Sequence, residues 1–184
     1  MFNLSTQDVV LSIEKEPLEK LNGIFYQEYN NFFGKELLDE LKNLKNCNWV
    51  ALERQEDKAR SKADDKDEIV KKLRIFFMNS LITKALEKKF STDLEFSSVD
   101  IWQDRPGYFL VPHTDDPRVK LALQIYLGDD NVGTSLYDDK NYCIKTFPFK
   151  CNCGYALLNN KESMHGTEGK VTKGIRTSLY VRYR

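Results

Sequence analysis

The sequence predicts a mainly β fold with helices packed on one sheet, either a β-sandwich or a barrel. Three observations carry this expectation. Apolar residues recur at helical spacing in two stretches of the first half, short β-rich stretches separated by turn residues fill the chain after Leu94, and a 41% hydrophobic content in 184 residues is enough for a sizeable core. No internal repeat and no linker divides the chain, so one domain over 1–184 is expected, with 1–93 as a helical support region and 94–184 as the β core that carries the site.

The elements follow in order. Leu37, Leu38, Leu41 and Leu44 sit at i, i+1, i+4 and i+7 along 34–46, which makes an amphipathic helix. Residues 53–72 carry both signs of charge with hardly an apolar residue before Ile69; this reads as a solvated loop or a mobile lid over a site. A second stripe, Leu81, Ile82, Ala85, Leu86 and Phe90, follows Asn79 and Ser80, either of which can cap a helix N-terminus. Strands are expected at 96–102, 121–127, 142–149, 155–158 and 175–183, punctuated by Arg105-Pro106-Gly107, by 128–131, by Gly133 and by Lys173-Gly174.

Composition narrows the function. Lys+Arg and Asp+Glu are equal at 28 each, so the cationic field of a non-specific nucleic-acid binder is absent and nucleic acid is not an expected partner. No apolar run approaches the ~20 residues of a membrane span, and the first residues show neither a basic n-region nor an apolar h-region, so a cytoplasmic protein without a membrane partner is expected. Cys47, Cys143, Cys151 and Cys153 are too few and too unevenly spaced for a disulfide framework, which predicts reduced thiols.

The chemistry gathers around the two histidines. In Val111-Pro112-His113-Thr114-Asp115-Asp116-Pro117 the imidazole and the Asp115 carboxylate stand at i and i+2, which in an extended segment places them on one side. His165 lies in a loop after the 155–158 strand, where it can supply a third ligand. Two neutral imidazoles and one carboxylate form the facial triad of non-haem Fe(II) oxygenases, leaving three coordination positions open. Further along, alternation in the 176–183 stretch puts Arg176, Ser178 and Tyr180 on one face. The first two are a guanidinium fork and a hydroxyl suited to a carboxylate. In 121–127, Leu121, Leu123, Ile125 and Leu127 share one face, and Ala122, Gln124 and Tyr126 share the other.

Over about half the chain, from Asp100 to Arg184, the sequence resembles the Fe(II)/2-oxoglutarate-dependent dioxygenase superfamily, in its prolyl-4-hydroxylase-like branch. The features that carry the resemblance are Gly107-Tyr108-Phe109-Leu110 leading into His113-Thr114-Asp115-Asp116-Pro117, then Gly133-Thr134-Ser135-Leu136-Tyr137, Gly154-Tyr155-Ala156-Leu157-Leu158, His165, and Gly174-Ile175-Arg176-Thr177-Ser178. The resemblance implies a double-stranded β-helix, or jelly roll, with His113, Asp115 and His165 holding Fe(II) and Arg176 receiving the distal carboxylate of the co-substrate 2-oxoglutarate. Ser178 would assist, and Tyr126, with Gln124 on its face, resembles the tyrosine that joins the arginine in prolyl hydroxylases. The implied reaction consumes O₂, releases succinate and CO₂, and hydroxylates an unactivated C–H bond of a peptide, with a prolyl residue as first expectation, or of a small molecule; ascorbate is an expected reductant. Gln103, where tyrosine is frequent, and Thr134-Ser135, where Gly-Glu is usual, depart from the branch and leave the prime substrate open. Competing readings are a zinc-binding module on Cys143, Cys151 and Cys153, a metal-dependent hydrolase using the same His/Asp/His set, and a non-catalytic cupin-like metal-binding barrel.

Overall fold

A strand buried on both faces needs a covering layer on each side, and that requirement sets the architecture here. All six residues of the strand 121–126 are buried. The computed structural model describes residues 6–42, 44, 47–52 and 59–184. In chain order they form α1 (Thr6–Lys15), β1 (Glu19–Leu21), β2 (Ile24–Asn30), α2 (Lys35–Lys42), β3 (Trp49–Ala51), β4 (Arg60–Ala63), α3 (Glu68–Phe77) and α4 (Ser80–Phe90). There follow β5 (Phe96–Asp104), β6 (Leu121–Tyr126), β7 (Asn131–Tyr137), β8 (Cys143–Phe149), β9 (Cys153–Leu158), β10 (His165–Thr167) and β11 (Arg176–Tyr183).

The strands make a major sheet in the order β1-β2-β9-β6-β11-β5-β4-β3 and a minor sheet in the order β10-β7-β8, with every named pair antiparallel. Helices cover the outer face of the major sheet. Val9 and Ile13 of α1, Leu37 and Leu41 of α2, Val70, Leu73, Phe76 and Phe77 of α3, and Ile82, Leu86 and Phe90 of α4 pack with Val99, Ile101, Leu121, Leu123, Ile125, Leu179 and Val181 in one core. A second core fills the space between the sheets, with Tyr26, Tyr126, Tyr155 and Leu157 from the major sheet meeting Leu136, Phe147 and Phe149 from the minor one. The predicted fold, a helix-backed jelly roll, is the observed one.

Both expected helices are present. Leu37 and Leu41 form the buried stripe of α2, and Asn79 caps α4 by accepting a hydrogen bond from Leu81 N at 2.9 Å. The expected strands correspond to β5, β6, β8, β9 and β11. The expectation for 53–72 is corrected: β4 pairs with β5, and α3 begins at Glu68, so 60–63 and 68–72 are regular structure. The physical reason is that β4 buries only the small residues Ser61 and Ala63, while the stripe Val70, Leu73, Phe76, Phe77 is interleaved with Lys71, Lys72 and Arg74. Residues 53–58 lie outside the described ones. The stretch 1–93 is also less helical than expected, since it contributes β1 to β4, with β2 paired directly to β9. The cysteines are free thiols, and no helix among the described residues is long and apolar enough to cross a membrane.

Candidate metal centre and its cavity

The two histidines meet through the backbone. His113 N donates to His165 O at 2.9 Å and His165 N donates to His113 O at 2.8 Å, a doubly hydrogen-bonded antiparallel pair between a residue outside the named strands and the first residue of β10, so His165 opens a short strand rather than lying in the expected loop. Residues opposed in this way project to the same face, and the ring centroids lie 4.6 Å apart. Gly166 permits the approach, because a Cβ there would sit 2.6 Å from Leu110 O and 3.1 Å from Pro112 N. Asp115, two residues beyond His113, returns its side chain to the same point, with Oδ1 4.0 Å from His113 Nε2 and 3.9 Å from His165 Nε2. The three ligand atoms all lie within 4.8 Å of one another, the one such group among the described residues.

Hydrogen bonding fixes which nitrogen faces inward. His113 Nδ1 lies 3.0 Å from Val111 O and His165 Nδ1 lies 2.9 Å from Ser163 O. A carbonyl only accepts, so each Nδ1 carries the proton and each Nε2 presents its lone pair to the common point. Burial holds the His165 pKa below its usual value, against the opposing pull of the Asp115 carboxylate and the Ser163 carbonyl. The neutral imidazole is the ligating form. Asp115 Oδ2 accepts a 2.8 Å hydrogen bond from Tyr180 OH. Burial, then the Asp115 charge, raises the Tyr180 pKa, so this phenol stays a donor. Two imidazoles and one carboxylate converging on a point, with the rest of that point facing a cavity, fit a divalent ion that keeps open positions.

The cavity measures about 430 Å³, and its far end is built around Arg176. This side chain is 1% exposed. It donates from Nε to Val132 O at 2.9 Å, from Nη1 to Asp104 Oδ2 at 2.8 Å and from Nη2 to Thr134 Oγ1 at 3.2 Å, which uses three of its five N–H groups. Asp104, fully buried, also accepts from Arg60 Nε at 2.6 Å and Nη2 at 3.1 Å, and the Arg60 guanidinium lies 4.8 Å from the Trp102 ring centroid. The end of the cavity is therefore a rigid cationic cup that suits a carboxylate.

Of the other residues expected to bind a co-substrate, Gln124 reaches the wall, whereas Ser178 and Tyr126 stand behind it. Gln124 Nε2 donates to Ser178 Oγ at 3.1 Å, and Gln124 Oε1 accepts from Tyr155 OH at 2.7 Å. Tyr126 is fully buried among apolar residues and donates to Thr134 Oγ1 at 2.9 Å, its ring centroid 5.4 Å from the Arg176 guanidinium carbon. Beside Gln124 the polar wall is made by Thr134 and Tyr155, to which sequence reasoning gave no role. Asp104 was also missed. Its signal was the period-two face of β5, where Asp100, Trp102 and Asp104 stand opposite Tyr180, Ser178 and Arg176.

No protein-family model and no curated protein matches the sequence. Solved structures do match. A 2OG-Fe(II) oxygenase family oxidoreductase from Burkholderia pseudomallei superposes with a TM-score of 0.63 at 13% identity, over 99% of this chain and 92% of that one. A Trichoplax adhaerens prolyl hydroxylase in complex with a hypoxia-inducible-factor peptide gives 0.65 at 16% identity, over 97% and 88%. The fold is that of the 2OG-Fe(II) oxygenases. HygX from Streptomyces hygroscopicus, solved with nickel, 2-oxoglutarate and hygromycin B, gives 0.61 at 12% identity, over 86% of this chain and 82% of that one. At these identities the likeness concerns the fold alone.

Proposed function

We propose that this chain is an Fe(II)- and 2-oxoglutarate-dependent oxygenase that hydroxylates an unactivated C–H bond. The observation that carries the reading is the convergence of His113 Nε2, Asp115 Oδ1 and His165 Nε2 on a cavity whose opposite end presents the buried Arg176 fork. In this reading His113, Asp115 and His165 hold the iron, and the two Arg176 N–H groups left by Val132, Asp104 and Thr134 receive the distal carboxylate of 2-oxoglutarate. Gln124, Tyr155 and Thr134 line the path between the two ends, while Ser178 and Tyr126 support them from behind. Fe(II) with 2-oxoglutarate and O₂ supplies the oxidising power that places one oxygen atom in the substrate and releases succinate and CO₂. The protein orients both substrates and keeps the carboxylate end away from bulk water. Tyr180 holds Asp115 by one oxygen and leaves the other for the metal. The peptide on the Trichoplax enzyme and the small molecule on HygX set the range for the prime substrate, with a prolyl residue as one member.

A metal hydrolase using the same three ligands has no need of a guanidinium fork at the far end of its cavity. The test is anaerobic addition of Fe(II) and 2-oxoglutarate, followed by air with ascorbate present. A weak visible metal-to-ligand charge-transfer band and then succinate are expected. Metal binding with neither signal would refute the oxygenase reading.

A further inference from the structure

The cavity wall holds three arginines, Arg60, Arg176 and Arg182, against one carboxylate, Asp115. Under the proposed function Asp115 belongs to the metal and Arg176 to the co-substrate, and Arg60 is drawn toward the same end by Asp104. Arg182 lies elsewhere. β11 runs from Arg176, past Tyr180 at the level of the metal ligands, to Arg182 two residues further on the same face, a rise of about 6.7 Å. Arg182 therefore stands on the far side of the metal centre from the co-substrate cup.

Its guanidinium is held on one edge. Nε donates to Ser98 Oγ at 2.8 Å and Nη2 to Asp100 Oδ2 at 2.7 Å, which uses two of its five N–H groups, and the residue lines the cavity. Asp100 is nearly buried and is shared with Lys62, whose Nζ lies 3.3 Å from Oδ1, so one carboxylate serves two cations. The neighbouring carboxylates are engaged as well: Asp65 pairs with Lys62 at 3.1 Å, and Asp116, close enough to feel the Arg182 charge, is clamped by Arg118 at 2.7 Å. Arg182 keeps 37% of its side chain exposed, at the mouth. A pre-oriented fork with spare donors, beside a metal centre and partly shielded from water, is built for an anion.

Resting on the oxygenase reading, we infer that Arg182 recognises a carboxylate or phosphate on the prime substrate and thereby selects substrates whose reacting C–H lies a few bonds from that anionic group. The same cavity, about 430 Å³, has to hold both the co-substrate and the part of the prime substrate that reaches the metal.

The probes are blocked amino acids in charged and neutral pairs: N-acetyl-L-glutamate α-amide against N-acetyl-L-glutamine α-amide, and N-acetyl-O-phosphoserine amide against N-acetylserine amide. Each is titrated calorimetrically into protein loaded with redox-inert Zn(II) and 2-oxoglutarate. At least one anionic member is expected to bind about tenfold or more tightly than its neutral partner, and which pair discriminates separates carboxylate from phosphate. Arg182→Gln should remove that discrimination, Arg182→Lys should keep only part of it, and Lys88→Gln on the outer helix α4 should keep all of it. Equal binding within both pairs, no binding of either anion, or discrimination surviving in both Arg182 variants overturns the inference. Failure of Zn(II)-loaded wild type to bind 2-oxoglutarate, titrated by the same method before any probe is added, would instead sink the oxygenase reading on which it rests.

Discussion

Replacing Asp104 by Asn tests the proposed co-substrate cup most directly. The carboxylate is fully buried and accepts three N–H donors from two guanidiniums, at 2.6 and 3.1 Å from Arg60 and 2.8 Å from Arg176. Asparagine keeps the shape but has one acceptor oxygen, and its amide must turn N–H groups toward an arginine. Breaking a buried pair from one side costs about 3–5 kcal/mol. Arg60 is 16% exposed and can recover some hydration, so the lower figure of about 3 kcal/mol is expected. For a domain of this size that corresponds to a Tm lowered by roughly 6–12 °C, readable by thermal melting monitored by circular dichroism. The freed Arg176 should also bind 2-oxoglutarate more weakly. If the cost comes from an orphaned charge, Arg60→Gln added to Asp104→Asn should restore part of the stability, as a positive coupling in a double-mutant cycle. A Tm within about 2 °C of wild type for Asp104→Asn would show that Asp104 does not hold the two arginines together.

Four further outcomes are expected. Asp115→Ala should lose metal binding and succinate production while keeping the wild-type circular dichroism spectrum; wild-type succinate output would remove Asp115 from the ligand set. Arg176→Lys keeps the charge but not the fork, so the apparent 2-oxoglutarate constant should rise roughly 10- to 100-fold, while a 2-oxo acid without the distal carboxylate should lose little further; an unchanged constant would place the co-substrate elsewhere. Gly154→Ala puts a Cβ onto the Gln124 carbonyl and 2.9 Å from Ile125 Cα, so β6 and β9 must separate and soluble yield should collapse; a normal melting curve would contradict the β6–β9 register. Burial raises the thiol pKa of Cys47, Cys151 and Cys153, which lowers their thiolate fraction at any given pH, so iodoacetamide at pH 7.5 should label the exposed Cys143 first and the others only as pH climbs past the ordinary thiol range; peptide mapping that finds Cys153 labelled first would reverse the order.

The sequence made the convergence of the candidate metal ligands legible because His113 and Asp115 are close neighbours along the chain and only two histidines exist to combine. It made Arg176 legible through strand alternation. What it hid depends on contacts between distant strands. Thr134 and Tyr155 become wall residues only when the minor sheet closes over β6 and β9, and Asp104 gains its meaning from Arg60 and Arg176, which come from two different strands. Tyr126 is a different case: alternation placed it on the inner face, and there it is fully buried behind the cavity lining, donating to Thr134 beside Arg176. α3 and β4 were obscured because their surfaces are so highly charged that local composition resembled a solvated loop.

The order of the major sheet has a consequence for how the chain reaches its native state. β2 joins β9, β9 joins β6, and β11 is wedged between β6 and β5, so the four central pairings of the sheet all join strands that are not consecutive in sequence. Such a topology has to nucleate through distant pairings, so folding in milliseconds to seconds rather than microseconds is expected. It also binds the two halves of the chain into one cooperative unit. A fragment comprising only 94–184 would keep every expected metal ligand yet leave the β9 edge bare where β2 had covered it, and a bare edge recruits other chains. Such a fragment should aggregate instead of yielding a minimal active domain, and the site is maintained by a strand that contributes no residue to it.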